Sequence, residues 1–129
     1  MFVPHSYDNG ALQPWEYIPA AEGTYQVGQL LDVADGKLAA IDAAKTTTPS
    51  YVCMANKTVE DGDVLPVQRV SKDVIYETHL SAEAAAATVG TKLQVSAGGL
   101  EADGAAAGTF EVVSIEGTEA GSAVRGRFI

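Results

Sequence analysis

Apolar and polar residues alternate along this chain in short runs, and most runs stop at a glycine-bearing turn. Gln29–Val33 alternates weakly and meets Ala34-Asp35-Gly36, and Lys37–Ile41 resumes beyond it. Asp-Gly between apolar runs marks a tight hairpin, because the turn needs positive φ and glycine adopts it without steric cost. Tyr51–Ala55, Val64–Val70, Asp73–His79, Phe110–Ile115 and Ala123–Phe128 are further runs of strand-forming residues. Asp42–Pro49, Glu60-Asp61-Gly62-Asp63 and Asp103–Gly108 are the polar loops and turns between them. One stretch breaks this period. Ser81-Ala82-Glu83 and the four alanines after it predict a short helix near residues 82–88, with Ser81 as N-cap and Glu83 at the positive end of the dipole. The matching place in the first half, AAEGTYQ, contains Gly23 and Thr24, which weaken helix, so a loop or single turn is expected there.

The runs occur twice. VGQLLDVADGKLAA (Val27–Ala40) aligns without a gap on VGTKLQVSAGGLEA (Val89–Ala102), and half of the positions are identical. Upstream, Glu16–Gly28 lies more weakly over Thr78–Gly90. Downstream, after a shorter loop in the second copy, Ser50–Val70 lies over Thr109–Ile129. Repetition at this length signals duplicated supersecondary units, neither of which buries its apolar face alone. The expected fold is mostly β: a small barrel or sandwich, β-tulip-like, built from two tandem pseudo-symmetric units over about 16–70 and 78–129. Packing about a pseudo-two-fold axis would bury both apolar faces and protect strand edges. The repeated Gly and Leu positions are turn and core positions, so the repeat reports fold rather than a doubled active site.

Residues 1–15 stand outside the pattern. MFVPHSYDNGALQPW has no period, holds Pro4, Pro14 and the turn-former Asn9-Gly10, and concentrates the aromatics Phe2, Tyr7 and Trp15. Two readings are open: an extended arm that orders on a partner, or a segment that folds back on its own barrel.

At 129 residues the chain is long enough for one core, and 47% apolar content suits a globular domain. The net charge of −9 disfavours nucleic-acid phosphates and anionic membranes, and suits either solubility or a basic protein partner. Cys53, the single cysteine, sits in an apolar run and is expected to be a small buried hydrophobe. MFVPHSYDNG carries neither a basic stretch nor an apolar one of signal type, and no segment reaches membrane-spanning length.

Chemistry is hard to find. His5 and His79 are the only histidines, no HExxH or CxxC spacing occurs, and GxSxG and P-loop patterns are absent. Glu60, Asp61 and Asp63 cluster at one turn, but the second copy has Glu-Ala-Gly-Ser there, so a solvated hairpin is the simpler reading than a Ca²⁺ site. No catalytic, metal or cofactor residue is therefore assigned, and an enzyme is not expected. Arg125 and Arg127 share one strand face, either as a small cationic patch or as partners of surface carboxylates.

A Gly-Gln-Leu-Leu strand, an Asp-Gly turn and Lys-Leu-Ala-Ala-Ile come first, followed by a Thr-rich loop, a Tyr-Val-Cys-Met-Ala strand and Val-Leu-Pro-Val. With the closing GTFEVVSIEGTEAGSAVRGRF, this style resembles the head decoration, or capsid-cementing, proteins of tailed bacteriophages, from about Glu16 onward. The resemblance implies a structural protein made in the host bacterial cytoplasm that ends on the outside of the virion capsid. It implies the major capsid protein as partner, with self-association as a trimer or other symmetric oligomer, and no nucleic acid, membrane or cofactor. The residues expected to bind the partner are Phe2, Pro4, Tyr7, Pro14 and Trp15 of the arm, with Arg125 and Arg127. A tail or neck component is the alternative within the virion. A ligand- or carbohydrate-binding barrel is the alternative outside it, disfavoured because Tyr51, Tyr76 and Phe110 fall singly on separate strands rather than on one face.

Overall fold

The computed structural model describes residues 1–7 and 13–129, and every regular element among them is a strand. β1 (Val3–Tyr7) leads. The first unit holds β2 (Trp15–Pro19), β3 (Gly23–Tyr25), β4 (Leu30–Ala34), β5 (Lys37–Ala40), β6 (Tyr51–Cys53), β7 (Lys57–Val59) and β8 (Val64–Arg69). The second holds β9 (Val74–His79), β10 (Lys92–Val95), β11 (Ala102–Asp103), β12 (Phe110–Ile115) and β13 (Ala123–Phe128).

Two antiparallel sheets result, β2-β8-β6-β4-β5 and β1-β9-β13-β12-β10-β11, with β3-β7 as a separate ribbon. Without β1, the two large sheets correspond strand for strand. Leu31 faces Tyr51 and Tyr51 faces Arg69, just as Leu93 faces Phe110 and Phe110 faces Phe128. Bonds outside the ladders repeat too. Gly28 N–H donates to Cys53 O and Gly90 N–H to Val112 O, both at 2.8 Å. Gly62 N–H donates to Ala20 O at 2.9 Å and Gly121 N–H to Leu80 O at 2.8 Å. Parallel bridges Ala20–Leu38 and Leu80–Ala102 draw the far strands of each sheet together, so both sheets curl toward closure.

The copies differ where their side chains differ. Asp35 and Gly36 take φ of 52° and 76°, and Val33 pairs with Leu38 across that tight turn. In the second unit Val95 pairs with Ala102 rather than with Leu100, because the wider Ser96–Glu101 turn replaces Asp-Gly. Upstream, Glu16 corresponds to Tyr76, not to Thr78: Glu16 faces Val67 as Tyr76 faces Gly126. AAEGTYQ, expected as a loop, contains β3, which pairs with β7 and buries Tyr25.

The helix expected near 82–88 is absent. Ser81–Thr88 forms bends and turns instead. So short a run cannot repay helix nucleation by itself, and tertiary bonds claim the groups of its expected N-cap. Ser81 N–H and Oγ both donate to Ala102 O, at 2.8 and 3.2 Å, and Ala84 N–H donates to Thr118 O at 2.8 Å. Ala84 and Ala87 are buried as small fillers at the core margin.

The units do not meet about a two-fold axis. Leu31, Leu38, Tyr51, Cys53, Leu65 and Val67 fill the inside of the first sheet. Leu30, Val52 and Ile41 join the core of the second unit, against Leu93, Val95, Phe110 and Phe128. The outer face of the first sheet thus covers the second core. The residues matching Leu30 and Val52 are Lys92, which is exposed, and Glu111, which is half-buried, so the reciprocal contact cannot form. The junction is heterologous, head to tail. Backbone bonds tie it: Leu30 N–H to Gly99 O at 2.8 Å and Gly98 N–H to Ile41 O at 2.7 Å. Gln29 Nε2 also donates to Gly98 O at 3.1 Å. A Cβ at Gly99 would collide with the Leu30 carbonyl oxygen, so this close approach requires glycine there.

The arm expected over residues 1–15 folds back wherever it is described. Val3–Tyr7 pairs antiparallel with β9, and Trp15 already belongs to β2. The Asn9-Gly10 turn lies outside the described residues. Phe2 is 0% exposed, with its ring 5.4 Å from Phe110, edge to face, and 6.0 Å from Phe128. Phe128 in turn lies 5.8 Å from Tyr76. Phe2 is therefore a core residue and no partner anchor. An aromatic ring is too large an apolar surface to leave in water when an aromatic pocket is within reach of the strand carrying it.

Phe2→Ala is expected to cost about 3–5 kcal/mol in urea unfolding, as for other large aromatic deletions in cores. Burial pushes the Tyr76 phenol up from its ordinary 10 to about 12. Its folded-state proton is held more tightly, so this contribution to stability is complete below the unfolded value and lost as pH rises through the folded one. Equilibrium unfolding between these pH values should show the loss, and Tyr76→Phe should remove that part of the pH dependence.

Candidate functional site

β2 and β8 carry the most apolar uncovered surface of the first unit. Their register places Trp15 opposite Gln68, Tyr17 opposite Pro66 and Pro19 opposite Val64. Strand alternation turns Ile18, Leu65 and Val67 into the core and these six residues outward. Trp15 is 51% exposed, Tyr17 66% and Val64 45%.

This surface continues the junction. Leu30, Val52, Gln68 and Trp15 form one cross-strand row on the outer face. The row passes from buried Leu30 and Val52 under the second unit to Trp15 in solvent. Gln68 Nε2 closes the middle by donating to Gln13 O at 3.2 Å. One apolar face is therefore half covered by the chain itself and half open.

The duplication supplies an internal comparison. Glu77 and Arg125 stand in the second unit where Tyr17 and Pro66 stand in the first. There Arg125 Nε and Glu77 Oε1 pair at 3.2 Å, a half-exposed and ordinary surface contact. Arg127 faces Glu111 across β12 and β13, and it too is engaged within the fold. The same backbone thus carries charge on one copy and aromatic and proline side chains on the other.

The end of the first core is closed by charge. Arg69 lies 5.2 Å over the Tyr51 ring, and its Nη2 donates to Glu16 Oε1 and to Tyr51 Oη, both at 3.1 Å. Glu16 and its hydrogen bond hold the guanidinium above its usual range. In the second unit Tyr76, Phe110 and Phe128 occupy these places and accept Phe2. A cation–π stack closes one barrel end and an aromatic plug the other.

Of the expected partner residues, Pro14 and Trp15 are exposed and lie at this face. Pro4 and Tyr7 are half-buried on β1, Phe2 is in the core, and Arg125 and Arg127 are on the other sheet. Tyr17, Pro19, Val64 and Pro66 escape a reading of the sequence, since each looks like an ordinary strand residue. The available signal was comparison of the copies, once Tyr17 is set against Glu77 and Pro66 against Arg125.

The acidic turn is occupied by its own bonds. Asp61 pairs with Lys37 at 2.7 Å, and Asp63 Oδ2 accepts Glu60 N–H at 3.0 Å. Among the described residues no group of His, Cys, Asp and Glu is placed to hold a metal ion. Cys53 is buried, and desolvation pushes its thiol up, which keeps it from acting as a thiolate nucleophile near neutral pH. No family model and no curated protein matches the chain.

Trp15→Ser and Tyr17→Ser, made singly, should each change stability by no more than about 0.5 kcal/mol in urea unfolding. A loss of several kcal/mol would show that these side chains serve the fold rather than a partner.

Proposed function

We propose that this chain is a structural binding protein that cements the outer surface of a bacteriophage capsid, docking on the major capsid protein through the open face of β2 and β8. The observation that carries the reading is the aromatic, charge-free patch of Trp15, Tyr17, Pro19, Val64 and Pro66, set on a surface the chain already uses to bind its own second unit. Its character fits an interface core, where aromatic residues are enriched and charges depleted. The resemblance of the sequence from Glu16 onward to head decoration proteins supplies the identity of the partner. A cementing protein stabilises a shell by binding the assembled form, and many modest symmetric contacts sum to a large effect. The net charge of −9 suits a coat protein that must remain soluble at high copy number.

Co-sedimentation with expanded, decoration-free capsids tests this directly. The protein should bind at a fixed ratio to the capsid subunit. The Trp15→Ser, Tyr17→Ser variant should bind at least about tenfold more weakly, as expected when two exposed aromatic anchors are truncated. Absence of saturable binding at micromolar concentration would discard the cementing reading.

A further inference from the structure

The outer edges of the two sheets correspond, yet only one is occupied by a described strand. β9 is lined by β1, which lies antiparallel with Val3 opposite Glu77, Pro4 opposite Tyr76 and Ser6 opposite Ile75. β2, the counterpart of β9, ends its sheet with no strand beyond it among the described residues.

Two prolines fix which backbone groups of each strand point outward. Pro66 has no N–H, and its carbonyl accepts Met54 N–H at 2.9 Å on the side away from β2. Tyr17 and Pro66 are therefore a non-hydrogen-bonded pair, and the N–H and C=O of Tyr17 point away from β8. Trp15 shares that orientation by strand alternation. In the second unit, Pro4 faces Tyr76 without an N–H to give, so the bonded pair is Val3 with Glu77. Glu77 corresponds to Tyr17. The polar groups that hold β1 on β9 thus have counterparts on β2, pointing into the same relative position. Pro19 and the Ala20–Leu38 bridge limit this edge at its far end, leaving Trp15 to Ile18 as the receptive length.

We infer that the β2 edge is an acceptor for a short extended segment of another protein, added antiparallel as a further strand. Main-chain bonds to Tyr17 and Trp15 supply the affinity, and the side chains beside Tyr17 and Trp15 select the segment. The occupied edge states the chemistry of the occupant. β1 brings Val, Pro, His, Ser and Tyr, with no carboxylate. The segment on β2 carries an uncharged residue opposite Tyr17, tolerates proline opposite Glu16, and carries a small or apolar residue opposite Trp15. Flanking lysine or arginine is favoured by the net charge of −9. An acidic segment is disfavoured by the same charge. The mode of recognition stands apart from the identity of the partner: capsid binding with no response at β2 would retain the cementing reading and remove this one, and the converse result would do the reverse.

The test uses the full chain labelled with ¹⁵N and a synthetic peptide, Lys-Val-Pro-His-Ser-Tyr-Lys, blocked at both ends, which carries the β1 sequence. Saturable shifts of the Trp15 and Tyr17 amides at millimolar peptide are expected. A peptide N-methylated at its valine should bind at least about tenfold more weakly, as for loss of one hydrogen bond with a desolvated partner. No shift at Trp15 and Tyr17, or equal binding by the N-methylated peptide, would overturn the inference. Shifts confined to Ile75 and Glu77 would show exchange with β1 and overturn it as well. A concentration-dependent dimer abolished by Tyr17→Pro, seen by sedimentation without peptide, would place a second copy on the edge and likewise overturn it.

Discussion

Leu30 and Val52 are the constraint on which this molecule depends. They point out of the first sheet, away from its own core, and they are apolar. An isolated first unit would expose them. An isolated second unit would open its core, where Leu93, Phe110 and Phe128 sit, to water. Docking the outer face of one sheet over the core of the other removes both costs in a single contact. The backbone bonds from Leu30 to Gly99 and from Gly98 to Ile41 then fix the approach, and Gly99 is the residue that lets the two main chains meet.

The direction of that contact explains the divergence between the copies. A two-fold junction would demand equivalent apolar faces on both sheets. A head-to-tail junction demands one, so the second sheet is free to carry Lys92, Glu111, Arg125 and Arg127 on its outer face. The charged face terminates a stacking that would otherwise repeat without end. The first face is larger than the second unit can cover, and its remainder is the Trp15 and Tyr17 surface. Edge protection follows the same asymmetry: β1 closes one sheet edge and brings Phe2 into the second core, whereas β2 has no described neighbour on its far side.

Much of the fold was legible in the sequence. Asp35-Gly36 marked its turn because few residues accept that backbone, and the repeat marked the corresponding strands because turns and core positions are duplicated. What failed were places where tertiary contacts overrode local signals. The alanines after Glu83 have high helix propensity, but the cap that would start the helix is dismantled: Ala84 N–H, which Ser81 Oγ would have accepted, goes to Thr118 O, and the Ser81 hydroxyl goes to Ala102 O. Residues 1–7 looked aperiodic because a single edge strand with a bulge between Pro4 and Ser6 shows no clean alternation. The pseudo-two-fold expectation failed because similarity of units carries no information about which faces meet. The candidate site was legible only at Trp15 and Pro14. Tyr17 and Pro66 acquire meaning from the residues that replace them in the other copy.

Native-state hydrogen exchange of the Leu30 and Gly98 amides, which bond across the junction, tests the central claim most directly. If the outer face of the first sheet is the lid of the second core, these amides should exchange only through global unfolding. Their protection would then equal that of Cys53 and Val112, which are bonded within the separate units. Exchange of Leu30 and Gly98 at a markedly lower opening energy, with Cys53 and Val112 still protected, would mean that the units part while each stays folded, and would contradict the account.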